Sequence, residues 1–294
     1  MLRIEKILCP VDFSEYSAKA YDYAQSLAQH YGAKLLLQHV VQPLTSSYPY
    51  YAFPDAINEV FWNLETHADE KLSEFASARK ADGFETERFV HKGTPTDCIL
   101  AFAESQGVDL IVMGTHGRHG FDRLTMGSVT EKVLRKAHCP VLVVRKPTHD
   151  FVAPTDNLEP VRLHRILFCT DFSDYSSRAL TYALSLAMEY NAELTLLHVL
   201  EDVPPTDDLE KAIAEITHRL ENLVPPESSD WCKVQAAVRI GKPYQQILQI
   251  ALETGTDLVV MGVRGRNAVD LALFGSTTHR VIQLGSSPVL AVHI

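Results

Sequence analysis

The sequence predicts an α/β fold: two tandem parallel sheets of five strands each, with helices on both faces. Three observations carry this. The 294-residue chain is an internal duplication. In each copy, short apolar runs alternate with longer amphipathic segments, the pattern of parallel strands joined by crossover helices. In each copy the fourth apolar run enters a glycine-bearing loop and then a helix, a junction suited to an anion.

The duplication is read from matched segments. Asp12-Phe13-Ser14-Glu15-Tyr16-Ser17 is answered by Asp171-Phe172-Ser173-Asp174-Tyr175-Ser176, and Cys139-Pro140-Val141-Leu142-Val143-Val144 by Ser287-Pro288-Val289-Leu290-Ala291-Val292. Early matches are offset by 159 positions and later ones by 148, so the first copy holds 11 additional residues between Val40 and Gly93. A stretch rich in Pro, Thr, Asp and Asn separates the copies. The expected division is residues 1–147, a linker over 148–162, and residues 163–294.

Within the first copy, residues 6–11 read as a strand and 12–14 as a turn. Ser14 can cap a helix to about Tyr31, where Ala18, Tyr21, Ala24, Leu27 and Ala28 fall at helical spacing. A strand through Val40, a Pro- and Tyr-rich loop over 42–53, a long helix over 54–81 and a strand over 85–91 follow. Thr94-Pro95 opens the next helix, with proline in its first turn. Then come the glycine-loop strand, its helix, and a last strand over 141–145. The second copy repeats this order with a shorter loop and a shorter second helix.

The glycine motif organises each copy. Met113-Gly114-Thr115-His116-Gly117 is followed after nine residues by Gly127-Ser128, and Met261-Gly262-Val263-Arg264-Gly265 after nine by Gly275-Ser276-Thr277. Glycines let backbone N–H groups approach a phosphate, and a helix N-terminus adds partial positive charge. Ser128 reads as an N-cap whose hydroxyl can reach the same phosphate. Glycines also mark ordinary turns, but two copies with one gap argue for a retained cradle.

Asp12 and Asp171 end the first strands, where a carboxylate can bind the polar edge of a base or sugar, or cap a tight turn. Val40 and Val199 end the second strands, as an apolar wall for a ring or as core. His39 and His198 read as buried structural histidines, and His116 with His119 as solvated loop residues. Arg118 and Arg266 follow the second glycines, as phosphate partners or as plain loop charges.

The formal net charge of −10 argues against general nucleic-acid binding. No apolar run approaches a membrane span, and the opening residues do not read as a secretory signal. A cytoplasmic protein is expected, with five widely spaced cysteines as structural thiols. There is no Gly-x-x-x-x-Gly-Lys-Ser/Thr, no Gly-x-Gly-x-x-Gly after a first strand, no Gly-x-Ser-x-Gly and no strong zinc-ligand set.

The paired Gly-x-x-Gly, nine residues, Gly-Ser motifs, with the opening Pro10-Val11-Asp12 and the closing Cys139-Pro140-Val141-Leu142-Val143-Val144, resemble the universal stress proteins in tandem two-domain form. The resemblance covers nearly the whole chain. It implies open sheets in the order 3-2-1-4-5 and, for members with this glycine motif, ATP binding, here expected with Mg2+. Asp12 and Val40 together would then hold adenine and ribose, with Pro10 and Met113 beside them. Gly114, Gly117, Arg118, Gly127, Ser128, Val129 and Thr130 would surround the phosphates. Asp171, Val199, Met261, Gly262, Gly265, Gly275, Ser276 and Thr277 would do the same in the second copy, where Cys169-Thr170 replaces Pro10-Val11. The resemblance also implies that the last strands of the copies pair, giving an intramolecular pseudo-dimer. The reading is a nucleotide-dependent regulator with slow or no hydrolysis. The alternatives are an ATPase or adenylyl-transfer enzyme, and a scaffold whose second copy binds another small ligand.

Overall fold

A computed structural model describes residues 2–42, 54–78, 86–115, 126–145, 151–152, 161–201, 206–225, 231–264 and 275–293. The first copy runs β1 (Lys6–Pro10), α1 (Glu15–Tyr31), β2 (Lys34–Val41), α2 (Pro54–Ser77), β3 (Thr86–Lys92), α3 (Pro95–Gln106), β4 (Leu110–Gly114), α4 (Ser128–Lys136) and β5 (Val141–Val144). The second runs β6 (Arg165–Cys169), α5 (Asp174–Tyr190), β7 (Glu193–Leu200), α6 (Thr206–Glu221), β8 (Val234–Ile240), α7 (Pro243–Thr254), β9 (Leu258–Gly262), α8 (Ser276–Leu284) and β10 (Val289–Val292).

Local chemistry explains the boundaries. The Ser14 hydroxyl accepts from the Ser17 N–H and caps α1, and Gly32 ends it at φ 63°. Ser173 caps α5 in the same way. Pro95 and Pro243 open α3 and α7, where a missing N–H costs nothing.

The ten strands form one sheet in the order β3-β2-β1-β4-β5-β10-β9-β6-β7-β8. Each half has the expected order. The two five-stranded halves are joined into one sheet by the expected pairing of the last strands: β5 and β10 run antiparallel, with Val289 opposite Val143, Leu290 opposite Leu142 and Ala291 opposite Val141. The reason is the apolar edge. Left uncovered, β5 would present unpaired backbone and the buried row Val141–Val144 to solvent.

Each apolar core therefore runs across both copies. One lies under α1, α2, α5 and α6 and includes Tyr21, Leu37, Leu72, Phe168 and Leu220. The other lies under α3, α4, α7 and α8 and includes Leu36, Ile111, Leu134, Val259 and Ile282. Polar contacts also cross between the copies. Arg145 donates from Nη1 to the Gln283 carbonyl at the end of α8, and His293 donates from Nε2 to the Leu134 carbonyl of α4 at 2.7 Å. Burial holds His293 down at a pKa of about 4, so the ring is neutral near pH 7. Between α1 and α5, His30 Nε2 lies 2.9 Å from a Glu189 carboxylate oxygen, and the Tyr31 hydroxyl donates to the other oxygen at 3.1 Å.

This seam predicts how half of the chain behaves. Residues 1–147 expressed alone should dimerise at micromolar concentration in light scattering, because β5 must find another edge. A stable monomer would mean that the edge does not require cover.

Candidate functional site

β1 lies between β2 and β4. The connections leaving β1 and β4 carry the chain to opposite faces, so a crevice opens beyond their carboxyl ends. The structure places a cleft of about 680 Å³ there. Pro10, Asp12, Val40, Met113, Gly114, Gly127, Ser128, Val129 and Thr130 all line it. Gly117 and Arg118, like His116 and His119, lie outside the described residues.

Asp12 does what its turn-capping alternative asks while facing the cleft. Its Oδ1 accepts from the Ser14 N–H at 3.1 Å and from the Ser14 hydroxyl at 2.7 Å. The turn it closes carries Phe13 at φ 64°, and Phe172 repeats this at 61°. Left-handed backbone is costly for a bulky residue and persists only when its surroundings fix it. The Phe13 ring lies 4.5 Å from the His39 ring and 5.7 Å from that of Phe75, with Lys71 Nζ 5.4 Å from its centroid. The sequence shows that Asp-Phe-Ser repeats, but not that its Phe is left-handed. His39 is half-buried and lines the cleft rather than being enclosed. Its role is structural as expected, since Nδ1 donates to the Val11 carbonyl at 2.7 Å.

The glycine motif divides its tasks differently from expectation. A Cβ on Gly114 would lie 2.8 Å from the backbone carbonyl carbon and oxygen of Tyr16, and one on Gly262 would lie 2.9 Å from that of Tyr175. The first glycine of each motif thus lets a strand end pack against the start of α1 or α5. The expected N-cap is also corrected. Gly127 is the N-cap of α4, at φ −61° and without a side-chain cap, and Ser128 is the first helical residue. The Glu131 N–H bonds to the Gly127 carbonyl at 3.0 Å, so the N–H groups of residues 128–130 have no acceptor within the helix. Thr130 is buried, and its hydroxyl donates to the Gly114 carbonyl at 2.8 Å, tying α4 to the end of β4. In the second copy Thr278 makes this bond to Gly262 at 2.9 Å. The sequence reading chose Thr277 and overlooked Thr278, although the later offset matches Thr278 to Thr130.

The second copy keeps Asp171, Val199, Met261, Gly262, Gly275, Ser276 and Thr277 at the corresponding places. Gly265, like Arg266, falls outside the described residues. Gly275, not Ser276, is the N-cap of α8. Asp171 closes the same turn, with Ser173 donating at 3.1 Å from N and 2.6 Å from Oγ. Thr170, standing for Val11, accepts from the Phe172 N–H at 2.9 Å and donates to Ser176 Oγ at 2.9 Å, so the departure is absorbed by the turn. The cations differ more. The Arg219 guanidinium lies 3.8 Å from the Phe172 ring centroid, and Arg264 donates from Nη1 to the Tyr175 hydroxyl at 3.1 Å.

All five cysteines are free thiols, and burial pushes Cys139 up to about 12, with Cys9 and Cys169 also raised. Among the described residues, no group of three His, Cys, Asp or Glu side chains gathers to hold a metal, and no helix is long and apolar enough to cross a membrane.

Comparison with known families agrees with this architecture. The model of the universal stress protein family matches residues 3–145 and again 162–293. The chain belongs to the universal stress protein family. A tandem universal stress protein of Mycolicibacterium smegmatis is 27% identical over 296 residues, covering 97% of this chain and 96% of the relative. A universal stress protein of Methanocaldococcus jannaschii is 34% identical over 148 residues, covering 49% of this chain and 83% of the relative. The crystal structure of a universal stress protein from Archaeoglobus fulgidus superposes with a TM-score of 0.66 at 24% identity, covering 98% of this chain and 95% of that one. This last likeness concerns the fold.

In this universal stress protein the packing role of Gly114 is directly testable. Gly114→Ala should lower stability by about 1–3 kcal/mol, as overpacking does, read from urea denaturation. An unchanged midpoint would mean that α1 yields without cost.

Proposed function

We propose that the first copy binds ATP with magnesium, and that occupancy is a regulatory signal, with hydrolysis slow or absent. The observation that carries the reading is convergence. Every first-copy candidate among the described residues lines one cleft, and the first turn of α4 forms its wall. The volume is that of a small-molecule site. In this reading Val40, Pro10 and Met113 supply an apolar bed for adenine, and Asp12 takes the ribose edge. The N–H groups of Ser128, Val129 and Thr130 face the phosphates, with Gly127 leaving them room. The helix end supplies a local positive field in a chain whose net charge is −10.

The ATP assignment comes from the family resemblance of the motif, and the cleft's shape and donors fit it. Magnesium is commonly held by one or two carboxylates plus substrate phosphates. With Asp12 given to the ribose, the ion would be held chiefly by the nucleotide's own phosphates and would arrive with it. Slow hydrolysis is in keeping with an Asp12 already engaged in its turn, because positioning without an activated water gives little rate. We take residues 1–147 and 163–294 as two modules in a cytoplasmic protein. The first is the principal site, since the cleft that the described candidates line lies there.

Calorimetry with the purified chain should show ATP–magnesium binding in preference to GTP, with little phosphate released over an hour. Gly127→Val should weaken ATP binding about tenfold or more without unfolding the chain, since its side chain enters the phosphate space. Absence of ATP binding at millimolar concentration defeats the proposal. Unchanged affinity in a folded variant puts the phosphates elsewhere.

A further inference from the structure

We infer that Lys71 holds a second phosphate of the ligand in the first cleft, on the wall opposite α4, and that Arg219 marks the same position in the second copy. The inference rests on the nucleotide reading above and adds an anion subsite that the glycine motif does not contain.

The two walls of the cleft come from opposite faces of the sheet. α2 packs on one apolar core through Leu72, Phe75 and Ala76, and α4 packs on the other through Val133 and Leu134. From α2, His67, Ala68 and Lys71 line the cleft, and their spacing places them on one helix face. Among the described residues that line it, Lys71 is the one lysine or arginine, and Asp12 the one aspartate or glutamate. Lys71 is exposed. Two carboxylates of its own helix are turned elsewhere, Glu70 toward His67 and Glu65 toward Lys92, and Lys71 makes no ion pair among the described residues. What it does meet is the Phe13 ring, whose centroid lies 5.4 Å from Nζ. Phe13 follows Asp12 in the turn at the end of β1, so the cation stands beside the turn that carries the residue assigned to the ribose.

The second copy repeats the arrangement. The later offset matches Lys71 to Arg219 and Leu72 to Leu220, and both leucines are fully buried, so the two helices present the same faces. The Arg219 guanidinium lies 3.8 Å from the Phe172 ring centroid. Both phenylalanines are left-handed, and both rings lie against the histidine of the second strand, at 4.5 Å for His39 and 4.7 Å for His198. A costly backbone conformation thus sets an aromatic ring beneath a cation in each copy. His67 is not repeated, since Glu215 matches it, so the cation is what the two copies share.

An aromatic face attracts a cation but leaves its N–H groups to bond elsewhere. A lysine ammonium offers three donors and no acceptor, so the partner that suits it is an anion. The first turn of α4 serves one phosphate position from the other face of the sheet. Lys71 suits a phosphate lying away from that turn. Such a group can come from the far end of the nucleotide's own phosphate chain or from a phosphate on its ribose.

The test is calorimetry on the full chain with AMP, ATP and adenosine 3′,5′-bisphosphate. Lys71→Met keeps an apolar side chain against Phe13 and removes the charge. It should weaken ATP or the bisphosphate by about fivefold, the upper range for an exposed ion pair, with little change for AMP. Added salt should narrow the difference between the unaltered protein and the variant, and Lys71→Arg should retain the affinity. A loss with ATP assigns the subsite to the phosphate chain, and a loss with the bisphosphate assigns it to the ribose. Should Lys71→Met not fold, Lys71→Gln carries the same expectation. Unchanged affinity for both ligands in a folded variant, or an equal loss for all three, overturns the inference and leaves the nucleotide reading standing. Failure of the unaltered protein to bind any of the three removes that reading, and this inference with it.

Discussion

The antiparallel pairing of β5 with β10 is the interaction on which the rest of the structure depends. Each strand has only four residues, all buried. Their union turns two sheets into one and lets both apolar cores run the length of the molecule. It also sets α4 and α8 in contact with the opposite copy. The carbonyl of Leu134 near the end of α4 is held by His293, and that of Gln283 in α8 by Arg145. The N-terminus of α4 faces the candidate phosphates while its far end is anchored by the other half of the chain.

The cleft follows from the topology and from one close approach. β1 and β4 send their helices to opposite faces, which opens a gap at their carboxyl ends. Gly114 then allows the start of α1 to come down on the end of β4, and Thr130 ties α4 to the same point. Asp12, Phe13 and the first turn of α4 are thus positioned by backbone packing and buried hydrogen bonds. A site built on such elements is better preorganised than one carried wholly by a loop.

Much of this was legible in the sequence, for identifiable reasons. Strands and helices could be read because each local signal agreed with the global pattern. Ser14, Pro95 and the runs Leu110–Gly114 and Val141–Val144 all specify what they form. The candidates around the first cleft could be found because the duplication supplied a second copy of each motif. What was not legible depends on three-dimensional proximity. Ser128 looks like a cap by residue type, but the chain enters α4 one residue earlier, at Gly127. Gly114 looks like a phosphate glycine, and only the approach of Tyr16 shows that it also has a packing role. The left-handed Phe13 is disfavoured by local preference and held by His39 and Phe75, which are distant in sequence.

The central claim is that the first turn of α4 and the end of β1 form the nucleotide site. Hydrogen exchange of the full chain with and without saturating ATP and magnesium tests it most directly. The account predicts slower exchange at the amides of residues 127–130 and 11–13, with a smaller change at the matching residues of the second copy. Exchange unaltered at residues 127–130 while ATP is bound would contradict it.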